Sequence, residues 1–449
     1  MDEELIRKYA APAPRYTSYP TAPHFHAGVG EDAYRDWLGE LPASSTLSLY
    51  IHIPFCDRLC WFCACNTKQV RRYAPLERYL QALHWEIETV AGLIDGKARV
   101  EAVHYGGGSP TMLEPSDMIA LDAQLRSRFR FLPDAEVSVE IDPNDMDDAR
   151  FDALAAIGMR RASLGVQDFD SRVQKAINRE QSFEATKAVV DAVRARGATS
   201  VNLDLLYGLP HQSEAGVAAT VDQALTLTPD RIALFGYAHV PWMKKHQTMI
   251  DEAALPGPVE RFRQFECAAS VISASGYDAV GLDHFARPGD RMAIACREGW
   301  LRRNFQGYTC ESAEALIGLG ASAVSQLPQG YVQNAPASAD YERRVAAAGM
   351  AVVRGFELSG TDRMRAWVIE RLMCDLSFSR CDLLSRFGEA ARPIIIEAEY
   401  LAAADKDGIF ARQGNRFVVT ARGRPFVRSI ASAFDRYFGS GAGRHSAAV

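Results

Sequence analysis

The sequence has no long run of basic residues. Its 56 Asp and Glu side chains outnumber its 50 Lys and Arg, which gives a formal net charge of -6. Proteins that bind nucleic acids concentrate Lys and Arg on the surface that meets the phosphates. The composition therefore argues against a nucleic-acid partner.

The sequence also lacks an apolar stretch suited to crossing a membrane. Its longest uncharged window, residues 315–339, is interrupted by glycine, proline, glutamine and asparagine, which a membrane-spanning helix would hardly tolerate. The chain begins Met1-Asp2-Glu3-Glu4, whereas a signal peptide begins with basic residues and continues into an apolar core. We therefore expect a cytoplasmic protein without membrane insertion.

Cysteine is scarce, with nine in 449 residues, but four of them lie between Cys56 and Cys65. An odd number fits a reducing compartment in which thiols bind metal rather than form disulfides. Thiolates spaced as Cys56, Cys60 and Cys63 can converge on a cubane iron–sulfur cluster and leave its fourth iron open to a small molecule. A structural zinc site usually has two separated pairs of ligands, and no second pair is visible; zinc or unconnected core thiols are the alternatives. For Cys65 we prefer a buried thiol beside the loop, with a cluster ligand as the alternative.

Around and after this loop, short apolar runs alternate with longer amphipathic segments. Helices are predicted at Leu76–Leu93, which Pro75 introduces, and at Phe183–Arg196. Regular alternation indicates the α/β class, with parallel strands and helices outside. Because the strands number six rather than eight, we predict an incomplete parallel (βα)6 barrel. The predicted strands are 47–53, 101–105, 136–141, 161–166, 200–206 and 231–238.

The rest of the chain divides around this barrel. Residues 1–46 are rich in proline and predict an extended arm, either a plain linker or one laid across the active-site mouth with Arg15 and its tyrosines facing substrate. Polar and aromatic residues interleave at 283–288 and 303–308, which we interpret as functional loops. The predicted segments are the arm 1–46, a catalytic domain 47–355 made of the barrel core 47–240 and an extension, a mainly helical C-terminal domain 356–437, and a flexible tail 438–449.

Polar residues and glycines come where the predicted strands end, the edge at which parallel barrels hold their active sites. Glycines 106–108 follow the second strand, Glu140 lies at the end of the third, Gln167 follows the fourth, and Asp204 lies within the fifth. With Arg179, they offer the carboxylates and guanidinium that a zwitterionic amino-acid nucleoside would need. Each alone would be an ordinary cap, ion pair or tight turn.

Tyr50 and His52 alternate with apolar residues on the first predicted strand, so both face away from its apolar side. A satisfied hydrogen bond is the usual state of such a histidine. A role in the site is the alternative, and their place on the strand before the cysteine loop favours it.

Several longer motifs resemble those of the oxygen-independent coproporphyrinogen III oxidases, a family of the radical S-adenosylmethionine superfamily. The likeness runs from about residue 5 to 437. Its motifs are Pro14-Arg-Tyr-Thr-Ser-Tyr-Pro20, Tyr50-Ile-His-Ile-Pro-Phe-Cys56, Cys60-Trp-Phe-Cys63-Ala-Cys65-Asn66, Gly165-Val-Gln-Asp-Phe169, Asp204-Leu-Leu-Tyr-Gly-Leu-Pro210, Tyr237-Ala-His239, Asp283-His-Phe-Ala-Arg-Pro288 and Asn304-Phe-Gln-Gly-Tyr308.

The resemblance implies oxidative decarboxylation of two propionates of coproporphyrinogen III to vinyls, giving protoporphyrinogen IX. It implies a [4Fe–4S] cluster on Cys56, Cys60 and Cys63, with Cys65 not a ligand, and two molecules of S-adenosylmethionine. Tyr50 and His52 would be catalytic. By position, the residues implied at the cofactor on the iron are Tyr50, Gly107, Glu140, Ala238 and Val324, and those implied at the second cofactor are Phe62, Gly108, Ser109, Gln167, Arg179 and Asp204, with Leu206 a further cofactor contact.

A substrate with four propionates also needs cations, for which Arg15, Arg287 and Arg303 are hypotheses. Trp242 and Trp300 could reshape its pocket. The implied partners are a low-potential electron donor such as flavodoxin or ferredoxin, and we expect a monomer. The alternatives are a haem chaperone, a haem-modifying enzyme of the same superfamily, and a non-catalytic iron–sulfur sensor; haem chaperones generally lack a fourth cysteine like Cys65 and the Arg-Tyr-Thr-Ser-Tyr arm.

Overall fold

Six parallel strands form the centre of the structure, a computed structural model that describes residues 1–439. They lie side by side in chain order, each hydrogen-bonded to the next. Each coincides with a strand predicted from the sequence, which confirms the prediction. They are β1 (Thr46–Ile53), β4 (Arg99–Gly107), β5 (Arg130–Ile141), β6 (Met159–Gln167), β7 (Ser200–Tyr207) and β8 (Arg231–Gly236).

The sheet stays open because both outer strands of this set have other partners. On one side β1 pairs in parallel with β13 (Ala315–Leu319), and β14 (Val324–Leu327), β15 (Gly330–Asn334) and β16 (Val352–Glu357) follow antiparallel. On the other side β8 pairs antiparallel with β10 (His284–Ala286), and β10 with β9 (Asp278–Val280). The result is the incomplete barrel that the sequence predicted, extended to twelve strands.

The interpretation of 283–288 as a loop was wrong for β10. All three of its residues are buried, because the ladder to β8 covers them. By contrast, residues 302–309 form a hairpin of two strands, β11 (Arg302–Asn304) and β12 (Gly307–Thr309). The first strand is exposed or half-buried, and the second is mostly buried. The remaining strands are β2 (Phe55–Cys56), β3 (Lys68–Gln69), β17 (Ser377–Ser379), β18 (Phe410–Gln413) and β19 (Arg416–Val419).

The helices that follow the strands bury one apolar face each against the sheet. In α3, Leu83, Ile87 and Val90 recur at helical spacing and are fully buried. The start of α7 is fixed by Ser182, whose hydroxyl accepts from the Ala185 backbone N–H. The helices are α1 (Glu3–Tyr9), α2 (Glu31–Gly39), α3 (Ala74–Ile94), α4 (Pro115–Arg128), α5 (Asp148–Ala156), α6 (Ser171–Ala176), α7 (Phe183–Ala195), α8 (Glu214–Thr226), α9 (Pro258–Ala274), α10 (Arg291–Glu298), α11 (Ser338–Ala348), α12 (Gly360–Asp375), α13 (Arg380–Phe387), α14 (Arg392–Ala404) and α15 (Val427–Ser432).

The segment before β1 is not extended throughout, which corrects part of the prediction for 1–46. Trp37 and Leu38 of α2 belong to the main core, whereas Ile6 of α1, together with Tyr16 and Tyr19, joins a second core built from α12, α14, α15 and the β17–β19 sheet. Amphipathic spacing in α1 and α2 explains the difference, because each has apolar residues to bury. Both tyrosines are therefore buried in this second core.

The division into four segments stays a prediction, and residues 440–449 of the predicted tail lie outside the described residues. Within 1–439, no helix combines the length and the apolar character needed to span a bilayer.

Candidate active site

The cysteine loop runs between β2 and β3, beyond the carboxyl end of β1. Backbone hydrogen bonds close its base, from Lys68 N to the Pro54 carbonyl and from Val70 N to the Cys56 carbonyl. Burial, and then the neighbouring thiols of Cys63 and Cys60, raise the pKa of Cys56 to about 12. Burial also raises the pKa of Cys60. Both thiols therefore stay protonated at neutral pH and would have to release their protons on binding a metal.

The three cysteines do not surround a single point. Across residues 1–439, no three His, Cys, Asp or Glu side chains are gathered as the ligands of one metal ion are. Cysteines of an iron–sulfur cluster each bind a different iron, so their sulfurs stand further apart than the ligands of one ion. The arrangement is compatible with a cluster.

Arg179 is held beside the loop rather than out in an open pocket. Its Nη1 lies 2.6 Å from Asp142 Oδ2 and 3.7 Å from the Cys60 sulfur, and its Nη2 donates to the Gly165 carbonyl at 2.8 Å. Only 8% of the residue is exposed. A buried cation at this distance stabilises the thiolate form of Cys60.

A second segment, which sequence reasoning missed, fastens the outer side of the loop. Lys244 Nζ donates to the Cys65 carbonyl at 2.8 Å, and His246 Nε2 lies 2.7 Å from the Cys63 carbonyl and donates to it. Gln247, fully buried, donates its amide to the carbonyls of Phe62 and Ala238 at 2.9 and 3.1 Å. His246 and Gln247 lie in a short 3-10 turn (Lys245–Met249), and Lys244 is its N-cap; the turn has no hydrophobic period, so no local pattern marks these residues.

Glycines 106–108 let three elements approach one another. A Cβ on Gly108 would lie 2.4 Å from the Phe55 carbonyl oxygen, and one on Gly107, at φ +115°, would lie 2.5 Å from the His52 ring. A Cβ on Gly106 would meet the Glu140 carboxylate at 2.8 Å. The bare backbone is thus required by contacts within the protein, which the sequence alone did not distinguish from approach to a cofactor.

Tyr50 and His52 form a hydrogen-bonded pair on the inner face of β1. His52 Nε2 lies 3.1 Å from the Asn66 carbonyl, which can only accept, so Nδ1 is the bare nitrogen and accepts from the Tyr50 hydroxyl at 3.0 Å. Burial lowers the pKa of His52, which keeps the ring neutral. Tyr50 also stacks on His104, with ring centroids 5.7 Å apart.

Glu140 is the next carboxylate along this face. It accepts from His104 Nε2 at 3.1 Å and from the Gly107 backbone N–H at 3.0 Å. Burial acts to raise its pKa, but these hydrogen bonds and the two nearby imidazoles outweigh it, so the pKa is lowered and the group is ionised. Burial, and then the charge of Glu140, raise the pKa of Asp204 to about 6. The two carboxylates therefore differ in their tendency to ionise.

A cavity of about 640 Å³ opens in front of these residues, large enough for a nucleoside-sized ligand. The cysteine loop and the arm share its wall, through Ala64–Asn66 and Pro14–Ser18. Of the predicted residues it is lined by Arg15, Tyr50, His52, Gly107, Glu140 and Val324. Asp204 lines an adjoining cavity of about 170 Å³, which shares Glu140 with the first.

Gln306 lines both cavities and was missed as a site residue, although its motif had been noted. Its Nε2 is buried without a hydrogen-bond partner among the described residues. The residue that lines both cavities therefore holds a donor that a ligand oxygen reaching it would satisfy. Met243, rather than Trp242, lines the larger cavity, and Trp300 lies elsewhere, beside α10.

The other predicted cofactor residues line neither cavity. Phe62 and Leu206 pack in an apolar cluster with Tyr237, and Ser109 is buried with its hydroxyl 3.1 Å from that of Thr111. Gln167 has a left-handed backbone at φ +69°, with its amide close to Gly165. The remaining members of this group, Gly108, Arg179 and Ala238, make the contacts given above.

The three predicted substrate arginines are not together. Arg303 Nη2 donates to the Arg15 carbonyl at 3.1 Å, and Arg15 Nη2 donates to the Gly236 carbonyl at 3.0 Å, at the carboxyl end of β8. Arg287 instead donates to the carbonyls of Thr228 and Pro229, at the opposite end of that strand. The antiparallel direction of β10 carries Arg287 away from the site, so this placement does not support its predicted role.

Comparison with known proteins places this architecture in a class. The family model of the Radical SAM superfamily matches residues 50–224, the stretch from Tyr50 through the cysteine loop to α8. The fold and the cysteine loop are therefore those of a radical S-adenosylmethionine protein.

Relatives named oxygen-independent coproporphyrinogen III oxidase include that of Paracoccus denitrificans, 48% identical over 99% of this chain and 98% of the relative, and that of Escherichia coli, 40% identical over 97% and 95%. The solved structure of the Escherichia coli coproporphyrinogen III oxidase, described as a radical SAM enzyme, has a TM-score of 0.91 at 38% identity and covers 97% of this chain and 99% of its own. The chain belongs to the family of oxygen-independent coproporphyrinogen III oxidases, which confirms the resemblance of its motifs.

Proposed function

We propose that this protein is an oxidoreductase that converts two propionates of coproporphyrinogen III to vinyls without oxygen, giving protoporphyrinogen IX for haem biosynthesis. The observation that carries the proposal is the 640 Å³ cavity, where the cysteine loop, the Tyr50–His52 pair and the cationic Arg15 share one wall. A substrate with apolar pyrroles and carboxylate side chains needs this mixture of surfaces. Relatives with 40 to 48% identity over nearly the whole chain carry the same activity in their names.

The residues present fit the two cofactors of this chemistry. Cys56, Cys60 and Cys63 would hold a [4Fe–4S] cluster. One of the two S-adenosylmethionine molecules would lie in the larger cavity against Tyr50, Gly107, Glu140 and Val324, and the second would lie on the side of Asp204 in the adjoining cavity. When bound, the cluster and S-adenosylmethionine supply a 5'-deoxyadenosyl radical able to take a hydrogen atom from a propionate β-carbon. Loss of CO2 from the substrate, with transfer of one electron to a separate electron acceptor, would then leave the vinyl group.

The protein's own residues would orient the ligands in the cavity and shield them from water. Ionised Glu140 can accept hydrogen bonds from an ammonium or a ribose hydroxyl, and Gln306 can donate to a ligand oxygen. The Tyr50 hydroxyl, already donating to neutral His52, offers its oxygen as an acceptor and stays protonated because burial raises its pKa. The arm covers the cavity and limits the entry of water, which would quench reactive species.

Three further parts of the proposal concern partners and place. The electron donor is a low-potential protein such as flavodoxin or ferredoxin, the protein works as a monomer, and it resides in the cytoplasm. Reduction of the cluster by flavodoxin or by ferredoxin tests the electron donor, and light scattering of the purified protein tests whether it is a monomer.

The function is tested by reconstituting the cluster without oxygen and adding a low-potential reductant, S-adenosylmethionine and coproporphyrinogen III. Protoporphyrinogen and 5'-deoxyadenosine should form in step, and neither should form with Cys60→Ser. Formation of 5'-deoxyadenosine without the vinyl product would mean that the protein has radical chemistry but acts on a different substrate. Haem binding with neither product would favour the haem chaperone.

A further inference from the structure

A small pocket beside the main cavity has a marked excess of positive charge. Its volume is about 40 Å³, and its lining brings together Arg15, Arg261, Arg303 and Arg428 with Asp283 as the carboxylate among its described lining residues. The four arginines come from the arm, α9, the β11–β12 hairpin and α15, so the fold assembles them from distant parts of the sequence. Only two of them had been singled out from the sequence.

Two glycines leave room for the side chain of Arg261. A Cβ on Gly208 would lie 2.3 Å from Arg261 Nη1, and one on Gly236 would lie 3.1 Å from its Nη2. Arg261 donates to the Tyr237 carbonyl at 2.9 Å, and Arg428 donates to the carbonyls of Ala13 and Pro14. These carbonyls help to orient the two guanidinium groups at the pocket.

The electrostatics indicate that the pocket is short of negative charge. Burial, and then the charge of Arg15, lower the pKa of Arg428 to about 9, and burial with Arg15 lowers that of Arg261. Both remain cationic at neutral pH. Arg303 Nη1 is buried without a hydrogen-bond partner among the described residues. An anion bound here would relieve the repulsion and meet that donor.

Size and position restrict the anion. The pocket is small, at about 40 Å³, and has room for a group of the size of a carboxylate. Arg15 lines both this pocket and the main cavity, so the two spaces are neighbours. No residue of 54–66 and no glycine of 106–108 is among its lining residues. Stabilising an ionised carboxylate opposes its loss as CO2, which suits a carboxylate that is kept.

We propose that Arg261 and Arg428, with Arg15 and Arg303, bind a propionate of coproporphyrinogen III that the reaction leaves intact. This inference rests on the proposed function. It adds two substrate-binding residues and assigns the pocket to the part of the substrate that is shared with the product.

The test measures binding of coproporphyrinogen III and of protoporphyrinogen IX to the reconstituted protein without oxygen, by equilibrium dialysis. Arg261→Gln should weaken both by roughly 10- to 100-fold, since a charge-assisted hydrogen bond is lost. Arg428→Lys, which keeps the charge, should weaken both less than Arg261→Gln does. Arg263→Gln is the matched control on α9, because Arg263 is 51% exposed and pairs with Glu3; its affinities should equal those of the wild type.

Other outcomes overturn the assignment in distinguishable ways. Product affinity unaffected by Arg261→Gln would mean that the pocket does not hold a retained propionate. Weaker binding of S-adenosylmethionine alone in that variant would mean that the pocket holds the cofactor's carboxylate. If the wild-type protein does not bind coproporphyrinogen III, the proposed function is wrong. The proposed role of the pocket, which rests on that function, is then wrong as well.

Discussion

The guanidinium of Arg179 lies 3.7 Å from the sulfur of Cys60 and is fixed there by Asp142. The pair connects the end of β6 with the cysteine loop, because Arg179 also donates to the Gly165 carbonyl. Positive charge next to a thiolate stabilises the more negative, reduced form of a cluster.

Replacing Arg179 with Gln should therefore lower the cluster's reduction potential. Hydrogen bonds to charged groups contribute about 1.5–3 kcal/mol, and about 1.4 kcal/mol corresponds to about 59 mV for one electron, so a shift of roughly 60–130 mV is expected. An anaerobic redox titration followed by electron paramagnetic resonance measures it. Arg172→Gln, on the exposed side of α6, is the control. A potential equal to that of the wild type would mean that Arg179 acts only on packing.

Gln247→Ala should loosen the cysteine loop from outside. The variant loses the hydrogen bonds to Phe62 and Ala238 and leaves the Val240 N–H without its acceptor, at a cost of roughly 2–3 kcal/mol. We expect faster hydrogen exchange at 60–65 and lower iron content after reconstitution. Thr248→Ala, which removes only an exposed bond to the Lys245 carbonyl, should change neither.

Gly108→Ala should prevent correct formation of the site. Its Cβ would lie 2.4 Å from the Phe55 carbonyl oxygen, so the cysteine loop and the glycine turn must separate. Iron content and thermal stability should both fall. Gly92→Ala is the control, because this exposed position in α3 has open space around it, and the substitution should stabilise by about 0.5–1 kcal/mol. Normal iron content in Gly108→Ala would refute the close packing.

Glu86 should make stability depend on pH. It is buried, with Tyr341, Asn334 and the Gly320 backbone N–H donating to it, yet burial raises its pKa to about 7. Because the folded pKa exceeds the unfolded value, its stabilising contribution is complete below the unfolded pKa and is lost as pH rises through about 7. Relative to Glu86→Gln, the unfolding free energy of the wild type should fall between about pH 5 and pH 8, as urea denaturation can show. A constant difference would contradict the raised pKa.

Sequence reasoning succeeded where the signal is local. The six strands were recognisable because apolar runs and helical periods alternate. Tyr50, Glu140 and Asp204 could be singled out because Tyr50 alternates with apolar residues on β1, Glu140 lies at the end of β5, and Asp204 lies within β7; all three line the two cavities. Arg261 and Arg428 were missed because an arginine in a helix looks like a solvated side chain until the tertiary fold buries it. Arg287 was misplaced for a similar reason: only the direction of β10 reveals at which end of the sheet it lies.

Contacts between residues far apart in the sequence explain why other site residues were not recognised. His246 and Gln247 reach back to carbonyls more than 180 residues earlier, and such backbone acceptors leave no mark on the sequence. The glycines at 106–108 were recognised, but their neighbours, Phe55, His52 and Glu140, are visible only in the fold.

The most direct test of the proposed activity uses coproporphyrinogen III deuterated at the propionate β-carbons. With the reconstituted protein, reductant and S-adenosylmethionine, mass spectrometry should find deuterium in 5'-deoxyadenosine in proportion to the vinyl groups formed. Unlabelled 5'-deoxyadenosine, or label without vinyl product, would contradict the proposal that this protein removes the β-hydrogen and decarboxylates the substrate.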